Sequence, residues 1–176
     1  KSSKMKLSDK IKKEKEEYHN RLKSVLRHIK NVQNNCILLG EKLIDDRKYE
    51  MGKMLIANGF IHDNSKFFGI EWDYISDASL AKKNKARVAL SVEQHNKTNK
   101  HHPEYWGGIK NMPDVYVGEM VCDWKSRSEE FGSSLIDWIN DAAMKRFQFK
   151  KGDAIYGKIM YFVDMLCQKP FQPLPD

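Results

Sequence analysis

The sequence predicts a single all-α domain, a bundle of about six to seven helices, on three observations. Apolar residues recur at three- and four-residue steps, no segment alternates apolar and polar residues as a strand does, and 176 residues is an ordinary length for one domain. Hydrophobic residues make up 40 % of the chain and charged residues 31 %, which is a globular composition. No apolar run approaches the ~20 residues that span a bilayer, and no signal segment is expected.

The first predicted helix is long. It begins at Ser8, a residue type that caps helices, and ends before Gly40, because glycine commonly terminates a helix. A second helix over 46–58 is predicted to end in the same way at Asn58-Gly59. The apolar stripe that predicts the first helix consists of Leu22, Val25, Leu26, Ile29, Val32, Cys36 and Leu39.

The later helices are separated by segments rich in helix breakers. The stretch 99–112 contains a proline and two adjacent glycines, so it is predicted to be an irregular loop. Pro113 suits the first turn of the helix that follows. In the helix before the loop, Ala89 and Val92 are expected to face inward. These helices are predicted over 70–80, 82–97, 113–131, 133–148 and 153–168.

Positive charge is concentrated at the N-terminus. Residues 1–30 hold eleven Lys and Arg against four Asp and Glu, whereas the rest of the chain is balanced. This basic segment allows weak contact with nucleic acid, and a solvated helical face is the alternative. No membrane partner is expected, and the oligomeric state stays open. The predicted parts are a basic helical extension over 1–17, a helical domain over 18–169 and a Pro-rich tail over 170–176.

The cysteines indicate a reducing compartment. Cys36, Cys122 and Cys167 are widely spaced and form no CxxC pair, so neither a disulfide framework nor a thiolate zinc site is expected. We therefore expect the protein in the cytoplasm.

Histidines and carboxylates cluster in short segments. Five of the six histidines fall in three of these segments, and a fourth adds a carboxylate. Separately, each residue has an ordinary explanation, such as a packed histidine, a cap or a solvated loop residue. Their joint order along an all-α chain favours one shared site. The segments are Arg27-His28, His62-Asp63-Asn64-Ser65-Lys66-Phe67, His95 to Trp106 with His101, His102 and Glu104, and Glu119 to Trp124 with Asp123.

The residue types in these segments are ones that can bind metal ions. His28 shares a helical stripe with Val25 and Val32, so its imidazole is expected at the edge of the core. Buried imidazoles and carboxylates require partners, because burying them alone costs several kcal/mol. Neutral imidazoles together with carboxylates suit Mn, Fe, Co, Ni or Zn. The sequence therefore predicts a core site for one or two divalent transition metal ions.

The motifs resemble those of the HD-domain superfamily of metal-dependent phosphohydrolases, over about residues 18–168. His-Asp-x-Ser-Lys-Phe, His-x3-Asn-x-His-His-Pro-Glu-Tyr-Trp and Glu-Met-x-x-Asp-Trp are similar, more closely, to a small HD-like family of bacteria and phages. A phage-encoded member would act in the host cytoplasm. No Gly-Tyr-Pro signature is present, which argues against the cyclic-dinucleotide branch. The resemblance implies a metal quartet of His28, His62, Asp63 and Asp123, with His95 and either His101 or His102 as further ligands.

The resemblance implies hydrolysis of a nucleotide or related small phosphate ester by a metal-activated water. Asp63 would bridge two ions, and Lys66 would hold the phosphate as a point charge. Glu119 would orient the water or bind a ligand histidine, and Glu104 is an alternative for that role. Arg27, Arg87 and Arg127 are further candidates for phosphate contact, and Trp106 is a candidate for stacking on a base.

Two other functions fit the same residues. An HD-type di-iron oxygenase would use the same histidine and aspartate ligands for oxygen chemistry. A non-enzymatic protein would bind nucleic acid through its basic N-terminus and use the cluster as a structural metal site.

Overall fold

The structure, a computed structural model, describes residues 6–167. The all-α prediction is confirmed, because no strand occurs in that range. None of the helices in that range has the length and the hydropathy that a membrane span requires. The predicted tail, 170–176, lies outside the described residues. The helices are α1 (Leu7–Asp45), α2 (Tyr49–Ile61), α3 (Gly69–Ser76), α4 (Ser79–Lys83), α5 (Lys85–Thr98), α6 (Asp114–Phe131), α7 (Leu135–Trp138), α8 (Met144–Phe147) and α9 (Ala154–Cys167).

Short helical turns connect several of these helices. A 3₁₀ turn, Asn64–Phe67, follows α2, and the predicted loop before α6 contains two more, Pro103–Trp106 and Ile109–Asn111. A π-helical turn, Ile139–Ala143, joins α7 to α8, so the backbone is helical throughout 135–147. Helix α1 runs without interruption across the boundary predicted between residues 17 and 18.

Helix α1 is the centre of the bundle and packs against α2, α6 and α9. Its buried side chains share Val32, Cys36 and Leu39 with the predicted stripe and continue beyond it to Leu43, whereas Leu26 is 47 % exposed. Full burial of each aliphatic side chain contributes roughly 1.5–3 kcal/mol. All three cysteines are free, and two of them belong to this core. The core around α1 includes Val32, Cys36, Leu39, Leu43, Leu55, Val117, Val121, Cys122, Ile159 and Val163.

The prediction that Gly40 ends the first helix is wrong, and so is the helix end predicted at Gly59. Both glycines lie inside helices because α1 and α2 approach each other closely there. A Cβ on Gly52 would lie 2.4 Å from the carbonyl oxygen of Gly40, and a Cβ on Gly59 would lie 2.6 Å from Cβ of Cys36. These positions require glycine because a side chain would overlap the neighbouring helix. Helix α2 consequently continues to Ile61 and ends beside the His-Asp pair.

The inward orientation predicted for α5 is also wrong. Ala89 is exposed and Val92 is 54 % exposed. The inner face of α5 instead carries Ser91, which is buried, and His95 one turn later. Helix α5 packs on α3 and on the short turns rather than on the apolar centre, so polar residues occupy its inner face.

We expect Gly52→Ala to lower the unfolding free energy by about 1–3 kcal/mol, because the new Cβ overlaps the backbone of α1. The control Gly157→Ala, at an exposed position of α9 where nothing lies within 4 Å, should stabilise the fold by about 0.5–1 kcal/mol. Urea unfolding followed by circular dichroism measures both variants. Equal stability of the two would contradict the close crossing.

Candidate metal centre

Residues from distant parts of the chain meet on one side of α1. Three groups of histidine and aspartate atoms could each hold a metal ion, and the ligand atoms of each group lie within 4.8 Å of one another. Asp63 belongs to two of these groups, as does His101. Together the groups include all of the predicted metal ligands. The groups are Asp63-His95-His101-His102, His28-His62-Asp63 and His62-His101-Asp123.

Helices α1 and α6 bring His28 to Asp123. His28 is buried on the stripe that also carries Val32 and Cys36. Its Nε2 lies 2.9 Å from Oδ1 of Asp123, whose side chain is 15 % exposed. The pairing of two core helices therefore fixes one edge of the cluster.

The turn after α2 brings the Asp63 carboxylate among the histidines of the cluster. Its backbone is left-handed, with φ of 55°, a conformation that aspartate tolerates better than most residues. The following 3₁₀ turn places Lys66 over the aspartate, with Nζ 3.3 Å from Oδ2. The Asp63 carboxylate contacts three imidazoles through their Nε2 atoms, at 3.3 Å for His95, 3.2 Å for His101 and 3.5 Å for His62.

Hydrogen bonds hold the histidine loop after α5 in place. Nδ2 of Asn99 donates to Oγ of Ser65 at 2.9 Å, and the indole of Trp106 donates to the carbonyl of Lys100 at 2.8 Å. Either His101 or His102 was expected as a ligand, and the structure brings both into the cluster.

Glutamates with buried side chains contact the Nδ1 atoms of four histidines. Glu119 accepts from Nδ1 of His62 at 3.0 Å and lies 3.2 Å from Nδ1 of His101. The Nδ1 of His95 donates to Glu71 at 2.5 Å, and that of His28 donates to Glu130 at 2.8 Å. A carboxylate on Nδ1 fixes the tautomer, leaving Nε2 free to bind a metal. Each of these Nε2 atoms contacts Asp63 or Asp123.

Sequence reasoning missed Glu71 and Glu130. One signal for Glu130 was present, because it lies seven residues after Asp123 and therefore on the same face of α6. Glu71 lies in the short helix α3, where spacing carries little information. Its pairing with His95 depends on how α3 packs against α5.

The cluster is short of positive charge and of hydrogen bonds. Nε2 of His62, His101 and His102 and Oδ1 of Asp63 are buried without a hydrogen-bond partner. All four residues belong to the groups whose ligand atoms lie within 4.8 Å of one another. Apart from the imidazoles, five carboxylates meet two contacting cations, Lys66 and Arg127, within residues 6–167. The carboxylates are those of Asp63, Glu71, Glu119, Asp123 and Glu130.

The protonation of the metal-free cluster follows from these contacts. Burial raises the pKa of Asp63, but the charge of His62 and the close approach of the His101 and His95 imidazoles outweigh it and hold that pKa well below its ordinary value. The pKa values of Glu119 and Asp123 are lowered in the same way, against burial, by their histidines. Burial opposes a charge on His101, yet Asp63 and Glu119 raise its pKa to about 10.

His102 differs from the other histidines. Burial and the neighbouring charges of His101 and His95 lower its pKa to about 3. Its imidazole is therefore neutral near pH 7, the form that binds metals.

A cavity of about 440 Å³ opens in front of the cluster. The lining side chains of Asp63, His95 and Asp123 are at most 15 % exposed and form its inner end, and its wall carries three cationic side chains. Aromatic and aliphatic residues line most of the remainder, together with Asn96, Ser128 and Ser133. The cations are Lys66, Arg127 and Arg146, and the aromatic residues are Trp124, Phe131, Trp138 and Phe147.

Three predicted substrate-contacting residues lie outside this lining. Arg27 is exposed on α1. Glu104 is exposed and pairs with the cavity residue Arg146 at 3.5 Å. The ring of Trp106 packs against Tyr116, with ring centroids 5.5 Å apart. Arg87, a further phosphate candidate, pairs with Asp73 at 2.9 Å.

A family model described as a family of unknown function, DUF5662, matches residues 16–164. The chain belongs to this family. The match spans every residue of the cluster, from His28 on α1 to Glu130 on α6. No curated protein and no solved structure matches the chain. For this DUF5662 member, the geometry of the chain itself carries the functional argument.

We expect Glu130→Gln to weaken binding of Co²⁺ by about 10–100-fold, because the imidazole of His28 loses its anionic partner. The matched control is Glu129→Gln, whose exposed side chain contacts Lys125 outside the cluster. Competition with a chromophoric chelator measures the affinity. Equal affinities in the two variants would contradict a role for Glu130 in holding the ligand.

The metal-free protein should be most stable near pH 6.5, because the lowered pKa of His102 costs stability as the pH falls below that value. The raised pKa of His101 gives stability that is complete below its ordinary value of 6.5 and is lost as the pH rises towards about 10. The lowered pKa values of Asp63 and Glu119 give stability that is present above their ordinary values, 3.8 and 4.5, and is lost as the pH falls. Thermal unfolding of chelator-treated protein, measured across pH, gives both sides of the stability curve: the acid limb, from the lowered pKa values, and the alkaline limb, from His101. His101→Gln should flatten the alkaline limb and also weaken the acid limb, because His101 helps to lower the pKa values of Asp63 and Glu119. A retained alkaline slope would refute the assignment.

Proposed function

We propose that this protein is a metal-dependent phosphohydrolase. The observation that carries the proposal is the arrangement of one cavity. Histidine and aspartate ligand atoms converge at its inner end, and Lys66, Arg127 and Arg146 line its wall. A site that binds a phosphate ester through metal ions needs metal-ligating side chains next to cationic side chains that donate to the phosphate oxygens.

The residues fit divalent transition metal ions. Imidazole nitrogens and carboxylate oxygens together suit Mn, Fe, Co, Ni and Zn. Asp63 is shared by two of the ligand groups, which supports a pair of ions. When bound, such ions polarise a phosphoryl group and lower the pKa of water. The ligands would be His28, His62, Asp63, His95, His101, His102 and Asp123.

Residues around the metal ligands would bind the phosphate and position the ligands. Lys66 lies over Asp63 with its side chain 19 % exposed, so its ammonium can contact an anion at the inner end of the cavity. Arg127 bonds Glu130 through one nitrogen and keeps further donors for a phosphate oxygen. Glu119 contacts two imidazoles, which supports a role in positioning ligands.

The proposed activity is also what the resemblance to HD-domain phosphohydrolases implies. The all-α fold and the convergence of the motif residues support that relationship. The same ligand set would serve a di-iron oxygenase, so metal dependence and oxygen uptake are part of the test.

Phosphate release from a panel of phosphate esters, with Mn²⁺, Fe²⁺, Co²⁺, Ni²⁺ or Zn²⁺ added in turn, tests the proposal. We expect His62→Ala and Asp63→Ala to lower turnover by more than about 100-fold, and Lys66→Ala by about 10–100-fold, because each removes a ligand or a charge at the reacting phosphate. The control His19→Ala, at an exposed position of α1, should retain full activity.

Full activity in both His62→Ala and Asp63→Ala would refute the assignment. Oxygen uptake that requires iron, without phosphate release, would favour the oxygenase. Salt-sensitive nucleic-acid binding that is independent of the metal ligands, without turnover of any ester, would favour the non-enzymatic function.

A further inference from the structure

We propose that the outer half of the cavity is a subsite for a planar ring. The substrate would then be a phosphate ester whose esterified group carries an aromatic ring. This inference rests on the proposed function for the phosphate, but the ring subsite is argued from different residues. Its central residue is Phe131, at the C-terminal end of α6.

Helix α6 forms one wall of the cavity from its inner end to its mouth. Asp123, Arg127 and Phe131 lie on one face at four-residue steps, and all three line the cavity. The eight residues from Asp123 to Phe131 correspond to ~12 Å along the helix axis. From the inner end outwards, a molecule bound along this wall would therefore contact the metal-ligating residues, then a cationic side chain, then an aromatic ring. A phosphate ester with a ring at its far end has the same order of groups.

Phe131 is the aromatic residue of the lining whose ring is free. It is 75 % exposed, and it makes no ring contact with another aromatic residue of the described chain. The other three aromatic rings of the lining pack on one another. Trp124 stacks on Phe147 at 5.9 Å and meets Trp138 edge to face at 4.7 Å. Phe131 thus offers an unused ring face beside a ready-made aromatic wall.

The rest of the mouth supports an apolar ligand with a polar edge. Val92, 54 % exposed, lines the cavity from α5. Arg146 is held between the ring of Phe147, at 4.9 Å, and the carboxylate of Glu104. A planar guanidinium fixed in this way can donate to a phosphate or to an oxygen or nitrogen of a ring.

The size of the cavity and its backbone geometry agree with a small ligand. About 440 Å³ lies within the 300–1,000 Å³ typical of small-molecule sites. Trp138 directly precedes the π-helical turn, and Arg146 follows it in α8. Turns of this kind commonly occur at functional sites because they redirect side chains.

Equilibrium binding and phosphate release test the subsite separately. The probes are AMP and UMP, which carry a ring, and glycerol 2-phosphate, which has none, each titrated calorimetrically into the full chain loaded with Mn²⁺. We expect AMP or UMP to bind at least 10-fold more tightly than glycerol 2-phosphate. Phe131→Ala should remove about 10-fold of that affinity, since a stacked base contributes on this scale, and Phe131→Tyr should restore it.

The matched control is Phe60→Ala, on α2, where the ring is 62 % exposed and lies outside the cavity lining. It should change neither affinity. The affinity for glycerol 2-phosphate should be the same in wild type and Phe131→Ala. In steady-state kinetics, Phe131→Ala should raise KM for the ring-bearing ester and leave kcat nearly unchanged.

The outcomes separate the two proposals. Equal affinities for all three probes, or no binding of any, would overturn the ring subsite, as would a loss in Phe131→Ala that extends to glycerol 2-phosphate. Phosphate release from all three at equal efficiency would overturn the subsite and leave the proposed function standing. Ring-dependent binding without phosphate release would support the subsite and refute the proposed function.

Discussion

The cost of removing charge from water is the constraint on which this structure depends. Five carboxylates and five imidazoles lie in or beside the helical core, where a lone ionised group costs several kcal/mol. Most are offset in pairs, with glutamates on the Nδ1 atoms and aspartates near the Nε2 atoms. The pairing is incomplete, because Oδ1 of Asp63 and three ring nitrogens lack hydrogen bonds. Positive charge at the centre of the cluster would remove this deficit.

The scaffold explains how such a cluster is held. The glycines at 40, 52 and 59 set the close separation of α1 and α2, and this separation places His28 and His62 beside each other. Helix α6 contributes Glu119, Asp123 and Glu130 from one face, so a single rigid element supports ligands and their partners together. Side chains locked in this way keep their geometry when a ligand arrives, because little conformational freedom remains to be lost.

The cavity separates two kinds of interaction along its depth. Its inner end is charged and rich in metal ligands, whereas its mouth is largely aromatic, with Arg146 at its edge. Electrostatic interactions strengthen where water is excluded, so the inner end is suited to reacting groups. Aromatic surface tolerates water on one side and recognises shape, so the mouth is suited to selecting them. A single helix, α6, lines both regions.

The sequence by itself determined the helical class, most helix positions and the complete set of metal-ligand candidates. Periodicity reports which face of a helix is buried, and the His-Asp motifs report residue types whose burial requires partners. Tertiary structure decided what local patterns do not contain. Gly40 and Gly59 continue their helices because another helix lies against them, and Val92 faces the cavity mouth because α5 borders a polar site. Glu71 and Glu130 acquire their roles only when α3 meets α5 and α6 meets α1. Such contacts join residues far apart in the chain, and their geometry depends on the packing of whole helices rather than on neighbouring residues.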